Sequence, residues 1–306
     1  MKPFVLHPSF QNLFVCARRA VSHHTPPNVL VALPTPQEVE FLANVTSDGL
    51  IVPILVGKED VLNTQWDELS KSRVYIENAQ TPAEAKQLTA QYVRDERAEI
   101  LLWGGLSASE LSVIIGTANG KVLSHVAVVA LPGRERLLVV SDGGWIQCPD
   151  LQETVGIIHN CIDILNAMEV KSPKIAMLSA VEDIDTRIPR TMEAAAISQM
   201  SRRGAFAPAV VDGPLRFDHA ITISKGLEPS YASPVAGFAD CVIAGSMEEA
   251  NILIKALVHL GQGQFGGLLM GGAIPVAWPT WHGPRGNPLL SLALAILLWE
   301  FAGGND

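Results

Sequence analysis

Apolar positions along this chain alternate between two patterns. Short runs rich in β-branched residues stop at Gly, Pro or Asp, and longer stretches with apolar residues three and four apart follow them. Residues 29–33 form the first short run, which leaves through Pro34 and Pro36. Residues 37–46 have helical spacing through Val39, Leu42 and Ala43, Gly49 breaks it, and 50–56 is a second apolar run. That order predicts a right-handed βαβ unit with parallel strands. Ahead of it, residues 13–21 predict a short helix, and His23-His24 before Pro26-Pro27 reads as surface loop rather than a metal site.

The rhythm repeats. Residues 74–76 predict a short strand, and 82–94 a helix with Pro82 in its first turn and an apolar stripe of Ala83, Leu88 and Tyr92. A strand over 100–103 stops at Gly104-Gly105, and Ser107 with Glu110 forms a capping box for a helix over 107–115. Two strands, 124–131 and 136–140, flank Pro132-Gly133. Asp150 and Glu153 open a long helix over 151–167. A strand (175–178), a helix (191–203, ended by Gly204), a strand (209–211), a helix (248–260) and a strand (268–270) follow. The run 289–298 is about half a membrane span, so it predicts a buried terminal helix. Alternation throughout implies an α/β protein with a mostly parallel sheet. The turns within 211–270 are rich in Gly, Pro, Ser and Asp, where open α/β sheets place ligands.

Composition sharpens this picture. The 306 residues are 48% hydrophobic and 17% charged, which suits two soluble domains, with the strand pair at 124–140 as their border. The net charge of −9 and the lack of a long Lys/Arg run argue against nucleic acid as partner. A small anion would need local Arg, Lys or backbone N–H groups. Cys16, Cys148, Cys161 and Cys241 have no metal-ligand spacing and read as reduced thiols of a cytoplasmic protein. The first residues lack a basic stretch followed by an apolar core, so no signal peptide is expected. Gly261-Gln262-Gly263-Gln264-Phe265-Gly266 matches a dinucleotide fingerprint. It follows a helix and precedes a strand, the reverse of the order that mechanism requires, so it reads as a glycine helix stop. Arg216 and Asp218 sit in a strand-exit loop and are equally well read as a solvated turn. Ser233 and Gly237 offer a hydroxyl and close-approaching N–H groups to an anion.

Taken in order, LSHVAVVALPG (123–133), SDGG (141–144), PDLQETVGIIHN (149–160), KIAMLSAVE (174–182), VDGPLRFDHAI (211–221), SPVAGFAD (233–240) and EEANILIKAL (248–257) closely resemble phosphate acetyltransferases and phosphate butyryltransferases. The LSHVAV stretch is nearer the butyryl side. The resemblance runs from about Val29 onward. It implies a two-domain fold like that of isocitrate and isopropylmalate dehydrogenases, with mostly parallel sheets and a cleft between domains. Residues 1–140 and 280–306 would form the first domain and 141–279 the second, dimer-forming one. It implies acyl exchange between an acyl phosphate and coenzyme A as the small-molecule partners, without prosthetic group, metal, nucleic acid or membrane. By resemblance Gly105, Ser112, Ser124, Asp142, Gly213, Pro214, Arg216, Asp218, Ser233, Gly237 and Asp240 would contact substrate.

The chain departs from the family after its last second-domain strand. Aligned without gaps, Thr280 stands on the family's Ser and Trp281 on its Arg, and Gly283 or Asn287 falls where a carboxylate is expected. Ser112 stands where a first-domain Arg is usual. Bidentate charge-assisted bonds have no neutral substitute. Thr280, His282 and Asn287 are therefore the candidate catalytic positions, with His282 as base for the thiol and Arg285 as anion clamp. The alternative is a catalytically degraded member that binds coenzyme A or another metabolite as a sensor or partner subunit. A metal-dependent dehydrogenase would need clustered Asp residues, which the sequence lacks.

Overall fold

The computed structural model describes residues 7–70, 72–118, 120–223, 231–279 and 288–303. The predicted alternation is present. Helix α1 (Pro8–His23) precedes β1 (Asn28–Ala32), α2 (Pro36–Ser47), β2 (Val52–Gly57), α3 (Glu59–Leu69), β3 (Tyr75–Asn78), α4 (Pro82–Arg94), β4 (Ile100–Leu102) and α5 (Ala108–Ile115). Then come the hairpin strands β5 (Ser124–Ala130) and β6 (Leu138–Ser141), α6 (Leu151–Ala167), β7 (Lys174–Leu178), α7 (Pro189–Arg202) and β8 (Val210–Leu215). The chain ends with α8 (Phe217–Ile221), β9 (Cys241–Ile243), α9 (Met247–His259), β10 (Gln264–Met270), β11 (Val276–Trp278) and α10 (Pro288–Gly303).

Local chemistry explains the boundaries. Ser107 with Glu110 and Asp150 with Glu153 form the expected reciprocal capping boxes, and Thr35 with Glu38 adds a third. Three details differ from expectation, and a fourth, the glycine helix stop, is present. Helix α1 starts at Pro8, where the His7 ring accepts from the Ser9 N–H. Helix α3 was not expected, because only Leu62 and Trp66, one turn apart, are buried along it. The buried stripe of α4 is Ala85, Thr89, Tyr92 and Val93; Ala83 is exposed and Leu88 only partly covered. The glycine fingerprint is divided: Gly261 and Gly263 donate back to Ala256 and Leu257 and stop α9, and β10 already begins at Gln264.

All strands share one sheet, ordered β3-β2-β1-β4-β11-β10-β5-β6-β9-β7-β8. From β3 to β11 the strands are parallel, and from β6 to β8 they are parallel again. Between the blocks β10 is antiparallel to both β11 and β5, and β5 to β6. The second block therefore runs opposite to the first in the ladder. With roughly 20–25° of twist per strand pair, the blocks also rotate far relative to one another across the sheet.

The two faces of the sheet are packed differently. One carries a single core spanning both blocks, with Phe10, Leu42, Trp66, Ile157, Ile197 and Leu294 among its members. Helix α10, apolar all round and buried from Leu290 to Leu297, lies within that core against α1 and β10. The other face carries two separate cores. Tyr92, Leu111, Leu269 and Val276 belong to the one beneath α4 and α5. Ala127, Val140, Ala250, Ile254 and Phe265 belong to the one beneath α8 and α9. The division falls on β10: Phe265 and Leu269 share a face but sit in different cores, and Gly267 lies between them.

Candidate functional site

The seam between the two cores is the candidate site. Its floor is Gly267, which pairs with Trp278 and with Ala127. A Cβ at Gly267 would stand 3.0 Å from the Trp278 carbonyl oxygen and 3.1 Å from His125 Nε2, so glycine is what lets the imidazole lie across the strand. The His125 ring meets Trp278 edge-on, centroids 4.6 Å apart, and Trp278 meets Trp103 at 4.2 Å. Trp103 leaves β4, and its indole N–H donates to the Leu106 carbonyl at 2.7 Å.

A strap from the second block closes over this floor. It leaves β6 through Asp142, Gly143 and Gly144 and delivers Trp145 to 6.2 Å from Trp103 and 6.4 Å from Trp278. The exits of β4 and β6 thus meet, although the ladder runs them in opposite directions. Asp142 knots the strap: its buried carboxylate accepts the N–H groups of Gly144, Trp145 and Ile146 at 2.9–3.0 Å. Burial raises the Asp142 pKa and these bonds oppose the rise. Gly143 and Gly144 let the strap lie close to its neighbours, since added Cβ atoms would stand 2.4 Å from Ile254 Cδ1 and 3.0 Å from the Trp278 ring and would displace them.

His125 is only 6% exposed, and its Nδ1 has no hydrogen-bond partner. Burial first, and the positive charge of Lys255 second, lower its pKa to about 4, so the ring is neutral at pH 7. The second-block wall of the seam is α9. Asn251 donates to the Gly143 carbonyl at 2.9 Å, Ile254 packs on Gly143, and Lys255 follows one helical turn after Asn251.

The residues expected from sequence are distributed as follows. Gly105 and Ser112 lie on the first-block side. Gly105 is pressed against Leu33, and the Ser112 hydroxyl donates to the Ser109 carbonyl within α5. The Ser124 hydroxyl is fully buried and accepts from Asn160 at 2.8 Å; Ser124 neighbours His125 in the strand, so it faces away from the seam. Asp142 is occupied by its own strap. Gly213 and Pro214 lie inside β8 rather than after it, and a side chain at Gly213 would collide with Met177 at 2.7 Å. Arg216 lies in the strand exit as expected, directly after β8 at the N-cap position of α8, whereas Asp218 is within α8; the two form an ion pair at 2.7 Å. Ser233 accepts the Val235 N–H, and Gly237, at φ +76°, donates to His219.

Asp240 sits at the entry of β9, whereas Arg216 follows the exit of β8, a parallel strand of the same block. The two therefore stand at opposite ends of the strands. The Asp240 carboxylate is paired with Arg136 and accepts the Lys174 N–H at 3.0 Å, which gives it a structural setting. Thr280, His282, Arg285 and Asn287 lie outside the described residues, directly after the strand that carries Trp278.

Sequence reading did not single out His125, Trp103, Trp145, Trp278, Asn251 or Lys255. A signal existed for His125, a lone polar residue in an otherwise apolar strand. It also passed over a buried pair at the β7 and β8 exits, where His219 Nδ1 lies 2.7 Å from Glu182 and Glu182 accepts the Arg216 N–H. Among the described residues no group of His, Cys, Asp and Glu is arranged to hold a metal. Among them no helix is long and apolar enough to cross a membrane.

Comparison with known proteins agrees with this architecture. The family described as Phosphate acetyl/butaryl transferase matches residues 37–278. The phosphate acetyltransferase of Thermotoga maritima is 32% identical over 265 residues, covering 84% of this chain and 90% of that protein. The phosphate butyryltransferase of Clostridium beijerinckii is 29% identical over 267 residues, covering 85% and 88%. The structure of a phosphotransacetylase from Streptococcus pyogenes shares the fold, with a TM-score of 0.78 at 20% identity over 95% of this chain and 98% of that one. With the match spanning both sides of the seam, this chain belongs to the phosphate acetyl/butyryl transferase family.

Proposed function

We propose that this protein exchanges an acyl group between an acyl phosphate and coenzyme A. The observation that carries this reading is the family match over residues 37–278, which takes in both blocks of the sheet and the seam between them. In the reaction the coenzyme A thiol gives its proton to a base. The thiolate attacks the acyl carbonyl carbon, the carbon–oxygen bond to phosphate breaks, and inorganic phosphate leaves. The charge that develops on the carbonyl oxygen needs fixed donors.

His282 is the base in this reading, and Arg285 holds the phosphate. Thr280 and Asn287 take the places of the family's hydroxyl and carboxylate, which makes the active site a divergent one. Their position immediately after Trp278 supports the seam as the reaction cleft. The lobes are residues 1–140 with 280–306, and 141–279; the packing of α10 on α1 supports the return of the C-terminus to the first lobe. The protein acts as a cytoplasmic homodimer joined through the second lobe, where Val181, Ile184, Met192 and Ile223 expose apolar side chains.

The test is turnover of acetyl, butyryl and longer acyl phosphates with coenzyme A, followed by thioester absorbance. Thioester formation dependent on both substrates is expected. No turnover across the panel, with coenzyme A still bound, would replace this reading by a binding role.

A further inference from the structure

The second-block wall of the seam carries a cation, Lys255, that is not among the residues expected to contact substrate. The protein carries a net charge of −9, so an anionic group entering the seam needs a nearby cation to hold it. At two positions where an arginine would be expected by resemblance, the chain has Ser112 and Trp281. Ser112 spends its hydroxyl within its own helix.

Helix α9 offers a cation. Asn251 is fixed to the strap through the Gly143 carbonyl, and Ile254 is buried against Gly143. The 3.6-residue period then places Lys255 on the seam side, one turn beyond Asn251. Lys255 is solvent-accessible, and among the described residues it pairs with no carboxylate. Its positive charge is one of the two causes that lower the pKa of the buried His125. The floor of the seam, His125, Gly267 and Trp278, carries no anionic side chain.

We propose that Lys255 is a second phosphate-binding cation, acting beside Arg285, and that it holds the phosphoryl group of the acyl phosphate. This rests on the acyl-transfer reading for the identity of the substrate, but not for the anion site itself. An ammonium serves as a point-charge phosphate ligand with rotatable donors, suited to a group that must be gripped and then released as inorganic phosphate.

The experiment uses the full chain and four proteins: wild type, Lys255→Met, Lys255→Arg, and Lys171→Met as an exposed-lysine control. Inorganic phosphate binding is measured by calorimetry, and KM is measured separately for acyl phosphate and for coenzyme A. Loss of a charged contact predicts phosphate binding weaker by about 10–100-fold in Lys255→Met, with a comparable rise in KM for acyl phosphate. KM for coenzyme A should move little, Lys255→Arg should recover most of the loss, and Lys171→Met should match wild type. Unaltered phosphate binding in Lys255→Met overturns the proposal. A rise confined to the coenzyme A KM overturns the assignment to the acyl phosphate and places the lysine on the phosphates of coenzyme A. Lys255-dependent phosphate binding without turnover in wild type sustains the anion site while removing the acyl-transfer reading.

Discussion

At the scale of single residues, the seam is held by side chains whose polar atoms are either saturated or silent. His125 is the silent one. Its pKa of about 4 in the folded chain lies below the ordinary value of 6.5. Between those values the unfolded chain binds more protons than the folded one, so stability is complete above about pH 6.5 and falls as the pH drops toward 4. The contribution at stake is about 3 kcal/mol. Urea melts across that range should show the loss in wild type and a flatter limb in His125→Leu. Asp142 is the saturated one. Asp142→Ala strips the acceptor from three buried N–H groups and should cost about 3–5 kcal/mol in chemical denaturation. Asp142→Asn, which keeps an acceptor, should cost less. That Asp142 belongs to a site region is visible in the SDGG stretch; that its carboxylate is spent on its own strap is not, because the three donors are backbone groups fixed only by the folded turn.

At the scale of elements, most of the chain was legible because helix starts and strand ends carry chemistry that can be read in one dimension. The capping boxes at Ser107 and Asp150 are examples, and Asp150→Ala should lower stability by about 1 kcal/mol in thermal or urea melts. Helix α3 was not legible, since its two buried residues are too few to set a period. Asp218 is helical rather than in a loop, a difference that arises because α8 is a single short turn of helix with no propensity signal. The β8 strand was cut short at Val211 by reading Gly213-Pro214 as a turn, whereas the glycine is there to let β8 pass Met177. Gly213→Ala should destabilise the β7–β8 pair by about 1–3 kcal/mol through overpacking, measured as a shift in the urea midpoint.

At the scale of the whole molecule, the two parallel blocks were expected and the shared sheet was not. Sequence periodicity gives each strand its neighbours in the chain but not the partner that arrives from residues far downstream. The same limit hid the seam: Trp103, Trp145 and Trp278 are spread over the chain and meet only through folding. Association is also decided at this scale. Light scattering of the purified chain should give the mass of a dimer, and Ile184→Glu with Ile223→Glu should shift it toward monomer without loss of helical signal.

The place of β11 in the sheet bears on how the protein is made. Strands β10 and β11 stand between β4 and β5, so the centre of the sheet is supplied by residues made more than a hundred positions after β4 and β5. Until then β4 and β5 each present an open edge of unpaired N–H and C=O groups, a template for pairing with other chains. The first block can collapse early during synthesis, but its β4 edge stays uncovered until β11 arrives. The nascent chain therefore passes through a long aggregation-prone interval, and nascent chains stalled near residue 260 should recruit holdase chaperones that the released protein does not.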